Sequence, residues 1–324
     1  MGYEVDFFAV RGSGAAAAVR WGARDRYSVL IYDGGRAESG LQLVEHVRRR
    51  YDTDRVDYVV SSHLAQDHTD GLAVVLRKLK VGQLWMHQPR TRVGHSEQEL
   101  HVDVLARIAR SRGIPIHEPF QGSLIGPFTV LSPSRDWYRE ELLPAFGSRV
   151  GPWRSKGRAL DHCFRWAAFW AARQLGREFL PRRAITSAED EASAVLYAEF
   201  EGRGMLFSGR AGVRALEGAC SYAESMNIRL AQNLKLLVLP DSGNIDNLSG
   251  ELLDRMVGER LPDGHAEPER TAFISLSERG RPLPHLLAES LRQRGMTAFA
   301  TEGRHLQHVH DMPERSWRPA RPLD

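Results

Sequence analysis

Val59–Leu72 reads VVSSHLAQDHTDGL, and this stretch decides the fold. An apolar run that ends at Val60 is followed by a short cluster of His and Asp residues, a glycine, and an amphipathic run that ends at Leu79. This order predicts a buried strand over 56–61, a polar turn and a helix over 69–79. Side chains at such a strand-to-helix turn can converge on one point, so the turn is the first candidate for a functional site.

The polar turn contains two histidines, His63 and His68, together with several acids. His and Asp side chains are the ligands that hard and borderline metal ions prefer. Helix capping is the alternative, because Asp67, Thr69 and Asp70 stand where a helix begins. Capping accounts for the acids but not for two histidines in one short turn. The turn therefore predicts the geometry of a metal site, either intact or decayed.

The turn resembles the metal-binding signature of the metallo-β-lactamase superfamily, H-x-[H/D]-x-D-H followed by a glycine. It is most similar to the domain of the DNA-uptake protein ComEC and its soluble relatives. On this resemblance His63 is the first metal ligand, Asp67 and His68 are the Asp-His pair, and Gly71 is the trailing glycine. The third position of the pattern is Ala65 here. A methyl group cannot ligate a metal, so one ligand position is lost.

Two further ligand positions differ from the family. Residues 208–210 read SGR where the family has TGD, whose Asp bridges two metal ions. Arg210 is permanently positive and only donates hydrogen bonds, so it cannot replace that acid. Asp241 and Ser242 stand where the family has the two histidines of PHHGS. The resemblance therefore implies a degenerate site in which the centre for two metal ions is largely lost.

Three more residues are candidate members of the site. Asp33 begins a DGG turn that matches the family, and the resemblance makes it an acid that steadies the metal loop without binding the metal. An ordinary turn is the alternative. His87 ends a predicted strand over 82–87, where many members of the family have another ligand, and His285 lies in a stretch that loosely resembles the family's HPHP. A structural role is the alternative for both histidines.

The resemblance implies an α/β fold, a metallo-β-lactamase-like αββα four-layer sandwich, formed as a single domain by residues 1–324. Predicted strands and helices alternate up to residue 132, which by itself favours helices outside a sheet. Residues 133–190 interrupt this alternation with several Trp and Arg residues and predict a helical insertion. Residues 305–324 are rich in His, Pro and Arg and predict a loose tail.

Composition sets limits on the function. The chain has 324 residues, of which 42% are hydrophobic and 26% charged, as in ordinary globular proteins. We expect no membrane span, because no apolar run is long enough, and no signal peptide is visible. Two cysteines do not make a disulfide framework, so a cytoplasmic location is expected. The net charge of +3 alone gives weak support for a nucleic-acid partner.

Two functional hypotheses follow. In the first, which the lost ligands favour, the chain is a catalytically impaired or inactive scaffold without metal that binds a protein or nucleic-acid partner, and Arg210 pairs with Asp67 or Asp241. In the second, one Zn²⁺ held by Asp67, His68 and Asp241, with His63 as a further ligand, activates water against a phosphodiester or a related anion. Asp67 and Arg210 are then the catalytic residues, and Arg210 holds a phosphate oxygen. An unrelated α/β enzyme with a chance motif is a third, less favoured possibility.

Overall fold

Two seven-stranded β-sheets form the centre of the protein. The structure is a computed structural model that describes residues 1–12, 14–23, 26–88, 97–146, 180, 186–262, 269–276 and 284–313, with the backbone alone for 97–103 and 284–286. In chain order the strands are β1 (Gly2–Phe7), β2 (Ala16–Ala23), β3 (Arg26–Gly34), β4 (Arg55–Val60), β5 (Lys80–Trp85), β6 (Ile116–His117), β7 (Leu124–Ile125), β8 (Phe128–Ser132), β9 (Val195–Phe200), β10 (Arg203–Phe207), β11 (Leu234–Val238), β12 (Thr271–Ile274), β13 (Thr297–Ala300) and β14 (Leu306–His310).

Helices connect most of the parallel strands. They are α1 (Ala37–Arg49), α2 (Gln66–Lys78), α3 (Glu97–Ser111), α4 (Arg135–Trp137), α5 (Leu143–Ala145), α6 (Ala188–Glu191), α7 (Val213–Ser225), α8 (Leu230–Asn233), α9 (Gly250–Val257) and α10 (Pro284–Arg292). A π-helical turn lies at Tyr138–Leu142, and 3₁₀ turns lie at Pro240–Gly243 and Ile245–Asn247. In α2 the residues Leu72, Val75 and Leu76 recur at helical spacing and are fully buried, which places one apolar face against the sheet.

The two sheets share one pattern of strand pairing. The strand order is β14-β1-β2-β3-β4-β5-β6 in the first sheet and β13-β12-β11-β10-β9-β8-β7 in the second. Each sheet has three antiparallel pairings at one end and three parallel pairings at the other. Parallel neighbours need crossover connections, and α1, α2 and α3 supply them in the first sheet.

Three apolar clusters fill the spaces between four layers. Phe7 of the first sheet and Phe207 of the second belong to a cluster between the sheets. Leu72 belongs to a cluster between α1–α3 and the outer face of the first sheet, and Leu216 to one between α7, α9, α10 and the second sheet. The predicted αββα four-layer sandwich is therefore confirmed. No helix among the described residues is both long enough and apolar enough to span a membrane.

The polar turn after β4 is shorter than predicted. The helix α2 begins at Gln66 instead of residue 69, so Asp67 and His68 lie in its first turn. Ala65 is its N-cap residue, and the Ala65 carbonyl oxygen accepts hydrogen bonds from the His68 N–H at 3.0 Å and the Thr69 hydroxyl at 3.1 Å. The first helical turn therefore sets the directions of two candidate side chains.

The C-terminal stretch contains a strand where a loose tail was expected. The expectation for 305–324 is wrong for Leu306–His310, which form β14 and pair antiparallel with β1. Tyr3 of β1 hydrogen-bonds His308 through its hydroxyl at 3.2 Å. The polar and His-rich composition hides this strand, but β14 pairs the backbone groups that β1 would otherwise expose at a sheet edge. Residues 314–324 lie outside the described residues.

The described parts of the predicted insertion are its two ends. Residues 147–179 and 181–185 of the 133–190 segment lie outside the described residues. On one side of this gap α4, the π-helical turn and α5 follow β8, and on the other side α6 precedes β9. The two ends meet at a small buried cluster of Phe120, Tyr138, Leu142 and Ala192, against which Ala188 of α6 packs.

Candidate functional site

The ends of four strands bring the candidate residues together. Asp33 lies near the end of β3 and His63 follows β4, while Arg210 follows β10 and Asp241 follows β11. The strands β3 and β4 are parallel neighbours in the first sheet, and β10 and β11 are parallel neighbours in the second. The carboxyl ends of parallel neighbours meet at one edge of a sheet, so each sheet contributes one pair of residues to the same end of the sandwich.

The two sheet edges touch directly beside these residues. Gly209 has a φ of 55°, and a Cβ atom there would lie 2.5 Å from the Ser62 hydroxyl oxygen and 3.0 Å from the Tyr32 hydroxyl oxygen. The Tyr32 hydroxyl donates a hydrogen bond to the Ala194 carbonyl oxygen at 2.8 Å. The Ala194 N–H in turn donates to the Ser62 carbonyl oxygen at 2.9 Å. These contacts fix how closely the two halves of the site approach.

Asp33 is a fully buried acid at the centre of the half of the site that the first sheet contributes. Its carboxylate accepts hydrogen bonds from the Ser62 N–H at 2.8 Å, the Ser62 hydroxyl at 2.6 Å and Nδ1 of His68 at 2.8 Å. Burial by itself lowers the pKa of His68, but the charge and hydrogen bond of Asp33 raise it, and the net shift is upward. The role expected of Asp33, to steady the loop, requires this geometry.

His63 is a buried and neutral imidazole. Its Nδ1 accepts a hydrogen bond from the Ala65 N–H at 3.0 Å, so the neutral ring carries its proton on Nε2. Burial first, and then the charges of Arg210 and His68, hold the pKa of His63 well below its usual value. The protonated Nε2 lies 3.6 Å from Oδ1 of Asp190. In this arrangement His63 has no free lone pair on the side that faces the acids.

Arg210 lies among the acids of the site. Its Nε donates a hydrogen bond to Oδ1 of Asp190 at 2.9 Å, and its Nη2 lies 3.5 Å from Oδ1 of Asp241. Burial lowers the pKa of Arg210, but the carboxylates of Asp241, Asp190 and Asp67 raise it, so the net shift is upward and the guanidinium stays charged. The ion pair with Asp241 is one that the metal-free hypothesis predicts. We call Arg210, Asp190 and Asp241 the Arg210 cluster.

Asp190 is the member of this cluster that sequence reasoning missed. It lies in α6, inside the segment assigned to the insertion, and no family motif marks it. The only signal was the acidic run at 189–191 just before β9. Its own N–H donates to the Ser187 hydroxyl at 3.1 Å, which caps the helix, while the adjacent Glu191 accepts a hydrogen bond from the Ala215 N–H at 2.6 Å. The acidic run therefore supports both the cluster and the start of α7.

The remaining candidates lie outside the Arg210 cluster. His87 lies two residues beyond β5, is 2% exposed and stacks on Tyr138 with ring centroids 4.4 Å apart. Burial lowers its pKa to about 3. Asp67 is half-buried and close enough to His68 to raise the pKa of that imidazole, after the larger effects of burial and Asp33. The helix α10 includes His285, whose side chain lies outside the described part of the chain.

The residues do not fit a pair of zinc ions. Ala65 offers a methyl group, His63 offers a protonated nitrogen, and Arg210 places a positive charge between Asp190 and Asp241. A cation among these carboxylates would meet that charge at ion-pair distance. Within the described ranges, no group of three or more His, Cys, Asp or Glu side chains is arranged to hold a metal ion.

The order of the four layers is the one that the sequence resemblance implies. The fold is metallo-β-lactamase-like. No protein-family model matches the sequence, and a search of curated proteins found no match.

Solved structures that are similar to this chain include metallo-β-lactamase fold proteins. The metallo-β-lactamase fold protein YhfI of Bacillus subtilis is 11% identical, with 95% of this chain and 100% of that chain covered and a TM-score of 0.48. A diphosphatase of the PhnP family is 11% identical, with 96% and 99% covered and a TM-score of 0.42. MEM-A1, a subclass B3 metallo-β-lactamase from a soil metagenome library, is 13% identical, with 78% and 85% covered and a TM-score of 0.33.

Proposed function

We propose that this chain works without a dinuclear metal centre, as a catalytically impaired or inactive scaffold that binds a protein or nucleic-acid partner. One observation carries the proposal: the Arg210 guanidinium is held by Asp190 at 2.9 Å and lies 3.5 Å from Asp241. In the resemblance, this position belongs to the acid that bridges two metal ions. A cytoplasmic location belongs to the same proposal, and the low number of cysteines supports it.

The electrostatics of the site support a structural role for Arg210. A buried carboxylate without a partner costs several kcal/mol, so each acid at the sheet edges needs a donor or a cation. His68 and Ser62 donate hydrogen bonds to Asp33. Arg210 donates a hydrogen bond to Asp190 and lies at ion-pair distance from Asp241. The guanidinium of Arg210 therefore places one positive charge among acids that would face two divalent ions in a loaded centre.

Metal content tests the proposal. Protein purified without chelator should carry well under one equivalent of zinc, and neither EDTA nor added zinc should move its thermal unfolding midpoint, because only a ligand of the native state raises it. Two tightly held ions would overturn the proposal. One equivalent that is lost in His68→Ala but retained in the exposed control His117→Ala would replace it with the single-zinc hydrolase.

Phosphodiester hydrolysis is the second test. With bis(p-nitrophenyl) phosphate and added Zn²⁺ or Mn²⁺, we expect no turnover above the rate of the buffer with metal alone. Metal-dependent turnover that disappears in both Asp67→Asn and Arg210→Ala would contradict the proposal. That result would give the two residues the catalytic roles that they have in the single-zinc hydrolase. Retention of that turnover in both variants would point to a contaminating enzyme.

A further inference from the structure

The end of the sandwich opposite the Arg210 cluster carries a second feature. The helices α1, α2 and α3 cross over between parallel strands of the first sheet, so all three run in one direction and end at the same place. The helix α2 packs between α1 and α3. Three segments form this face, which we call the basic end: 45–57, 77–80 and 107–112.

The basic end concentrates positive charge. It contains four acidic residues, namely Glu45, Asp52, Asp54 and Asp57. It contains ten basic residues, all exposed, namely Arg48, Arg49, Arg50, Arg55, Arg77, Lys78, Lys80, Arg107, Arg110 and Arg112. The surplus is six positive charges on a chain whose formal net charge is +3, so the rest of the chain carries a net negative charge. The low overall charge therefore hides a strongly polarised molecule.

Among the residues that the structure describes, most of these cations have no carboxylate at ion-pair distance. The ion pairs within the basic end are Arg49–Glu45 at 2.9 Å, Arg55–Asp57 at 3.1 Å and Lys80–Asp54 at 2.9 Å. In the described part of the chain, no carboxylate lies within ion-pair distance of the other seven cations. Their charges therefore face solvent and are available to an anionic partner.

Hydrogen bonds join the three helix ends into one face. Nη2 of Arg48 donates to the Lys78 carbonyl oxygen at 2.7 Å, which ties α1 to α2. Nη1 of Arg112, just beyond α3, donates to the carbonyl oxygens of Leu76 and Leu79, the latter at 2.9 Å, which ties α3 to α2. Two guanidinium groups are thereby held in place before any partner arrives.

Helix termini alone do not account for this surface. The partial negative charge at a helix C-terminus favours a cation within the last turn. This effect accounts for cations in the last helical turn, such as Arg48 and Arg77. Arg55 and Lys80 lie instead in the strands that follow and are exposed at the same end. The concentration of cations extends beyond what helix stability requires.

We propose that the basic end binds the phosphate backbone of duplex nucleic acid. Eight of its ten cations are arginines, whose planar fork can hold a phosphate through two hydrogen bonds. Three neighbouring helices at spacings of about 8–10 Å present a rigid face roughly 20 Å wide. A duplex carries one charge per about 1.7 Å of its axis, so such a face meets several phosphates at once and reads no base sequence. The surface is separate from the Arg210 cluster and its metal test.

Salt-dependent duplex binding tests the proposal. Fluorescence anisotropy with a labelled duplex of about 30 base pairs, between about 50 and about 200 mM salt, should give a linear decline of log affinity with log salt. Contact with about five phosphates predicts a slope near −4.5. The triple variant Arg50→Glu, Arg77→Glu and Arg110→Glu should bind at least about 100-fold more weakly at about 100 mM salt and reduce the slope by about three.

A matched variant controls for total charge. Arg139→Glu, Arg229→Glu and Arg304→Glu change three exposed arginines outside the basic end by the same total charge. The loss of log affinity in this control should be less than about a fifth of the loss in the triple variant of the basic end. Thermal unfolding checks that both variants fold. Equal losses in the two variants would overturn the proposal, as would no duplex binding by the native chain. Binding to phosphatidylserine vesicles without duplex binding would overturn it too.

Discussion

At the scale of single residues, Arg210 decides how the acids of the second half are neutralised. Its side chain is 24% exposed, and Asp190 and Asp241 are 16% and 23% exposed. Partial burial makes these ion pairs stronger than surface pairs, while residual solvent keeps them weaker than fully buried ones. The same guanidinium lowers the pKa of His63, after the larger effect of burial. One side chain thus acts on titratable groups in both halves of the site.

Replacing Arg210 should destabilise the fold without any dependence on metal. We expect Arg210→Met to lower the free energy of unfolding by about 2 kcal/mol, because two half-buried carboxylates lose their cation. Urea unfolding at neutral pH, with and without EDTA, measures this. Arg139→Met, an exposed arginine in the π-helical turn, is the control and should stay within about 0.5 kcal/mol. Equal effects of the two variants would show that the cluster contributes no more than a surface charge.

His87 makes stability sensitive to acid. Its pKa is about 3 in the folded chain and about 6.5 in an unfolded one, so below pH 6.5 the unfolded state binds a proton that the folded state rejects. Stability is therefore lost as pH falls from 6.5 towards 3, by about 1.4 kcal/mol per pH unit for this group. Urea unfolding between pH 7 and pH 5 should show that His87→Phe removes this part of the slope. The exposed control His117→Phe should keep the native slope, and identical slopes in all three proteins would contradict the prediction.

At the scale of elements, the glycine of the central motif sets how closely α2 approaches β3. A Cβ atom on Gly71 would lie 1.9 Å from the Gly34 carbonyl oxygen, and one on Gly40 would lie 2.4 Å from the Gly71 carbonyl oxygen. The Gly71 N–H also donates to the Gly35 carbonyl oxygen at 3.0 Å. The DGG turn and the glycine of the polar turn are therefore two sides of one backbone contact, and this contact positions Asp33 beside His68.

A methyl group at Gly71 should separate these elements. Gly71→Ala removes conformational freedom from the unfolded chain, which alone would stabilise a helix by about 0.5–1 kcal/mol. The clash with backbone atoms outweighs this gain, and we expect a net loss of about 2–3 kcal/mol in the free energy of unfolding. Gly218→Ala in α7 is the matched control, because a Cβ there meets no atom within 4 Å and should leave stability equal or higher. Denaturant unfolding compares them, and a neutral Gly71→Ala would contradict the close contact.

Local patterns predicted more of this structure than long-range ones. The apolar run before His63 and the spacing of Leu72 and Val75 are local signals, and the strand and helix formed where those signals lie, with the helix three residues earlier. The pairing of Asp190 with Arg210 joins segments 20 residues apart through an unmarked acidic turn, so periodicity could not reveal it. The strand β14 was missed because its polar composition resembles a tail, whereas its pairing depends on β1 at the other end of the chain.

At the scale of the whole molecule, the sandwich has two chemically different ends. The carboxyl ends of β10 and β11 carry Arg210 and Asp241 of the Arg210 cluster, and those of β3 and β4 carry Asp33 and His63 at the same end of the sandwich. The opposite end of the first sheet carries exposed cations on three helix ends. Parallel strands with crossover helices impose this polarity, because every strand in the set begins at one end and finishes at the other. The basic end proposed to bind phosphate and the Arg210 cluster therefore lie at opposite ends of one fold.

The contact of Ala194 with Tyr32 and Ser62, which we call the seam, joins the two sheets and should be weakened by loss of the Tyr32 hydroxyl. Its hydroxyl is buried and donates to the Ala194 carbonyl oxygen at 2.8 Å, which joins β3 of the first sheet to the residue before β9 of the second. Tyr32→Phe removes the donor and leaves a buried carbonyl with one bond fewer, so we expect a loss of about 1–2 kcal/mol in the free energy of unfolding. Amide hydrogen exchange at Ala194, whose N–H is bonded to Ser62, should also become faster, because opening of the seam exposes it. Tyr27→Phe, on β3 but only half-buried, should change neither quantity beyond about 0.5 kcal/mol. A loss of stability in Tyr32→Phe with native exchange at Ala194 would mean that the hydroxyl stabilises the first sheet alone. The contact across the seam would then not hold the two halves of the site together.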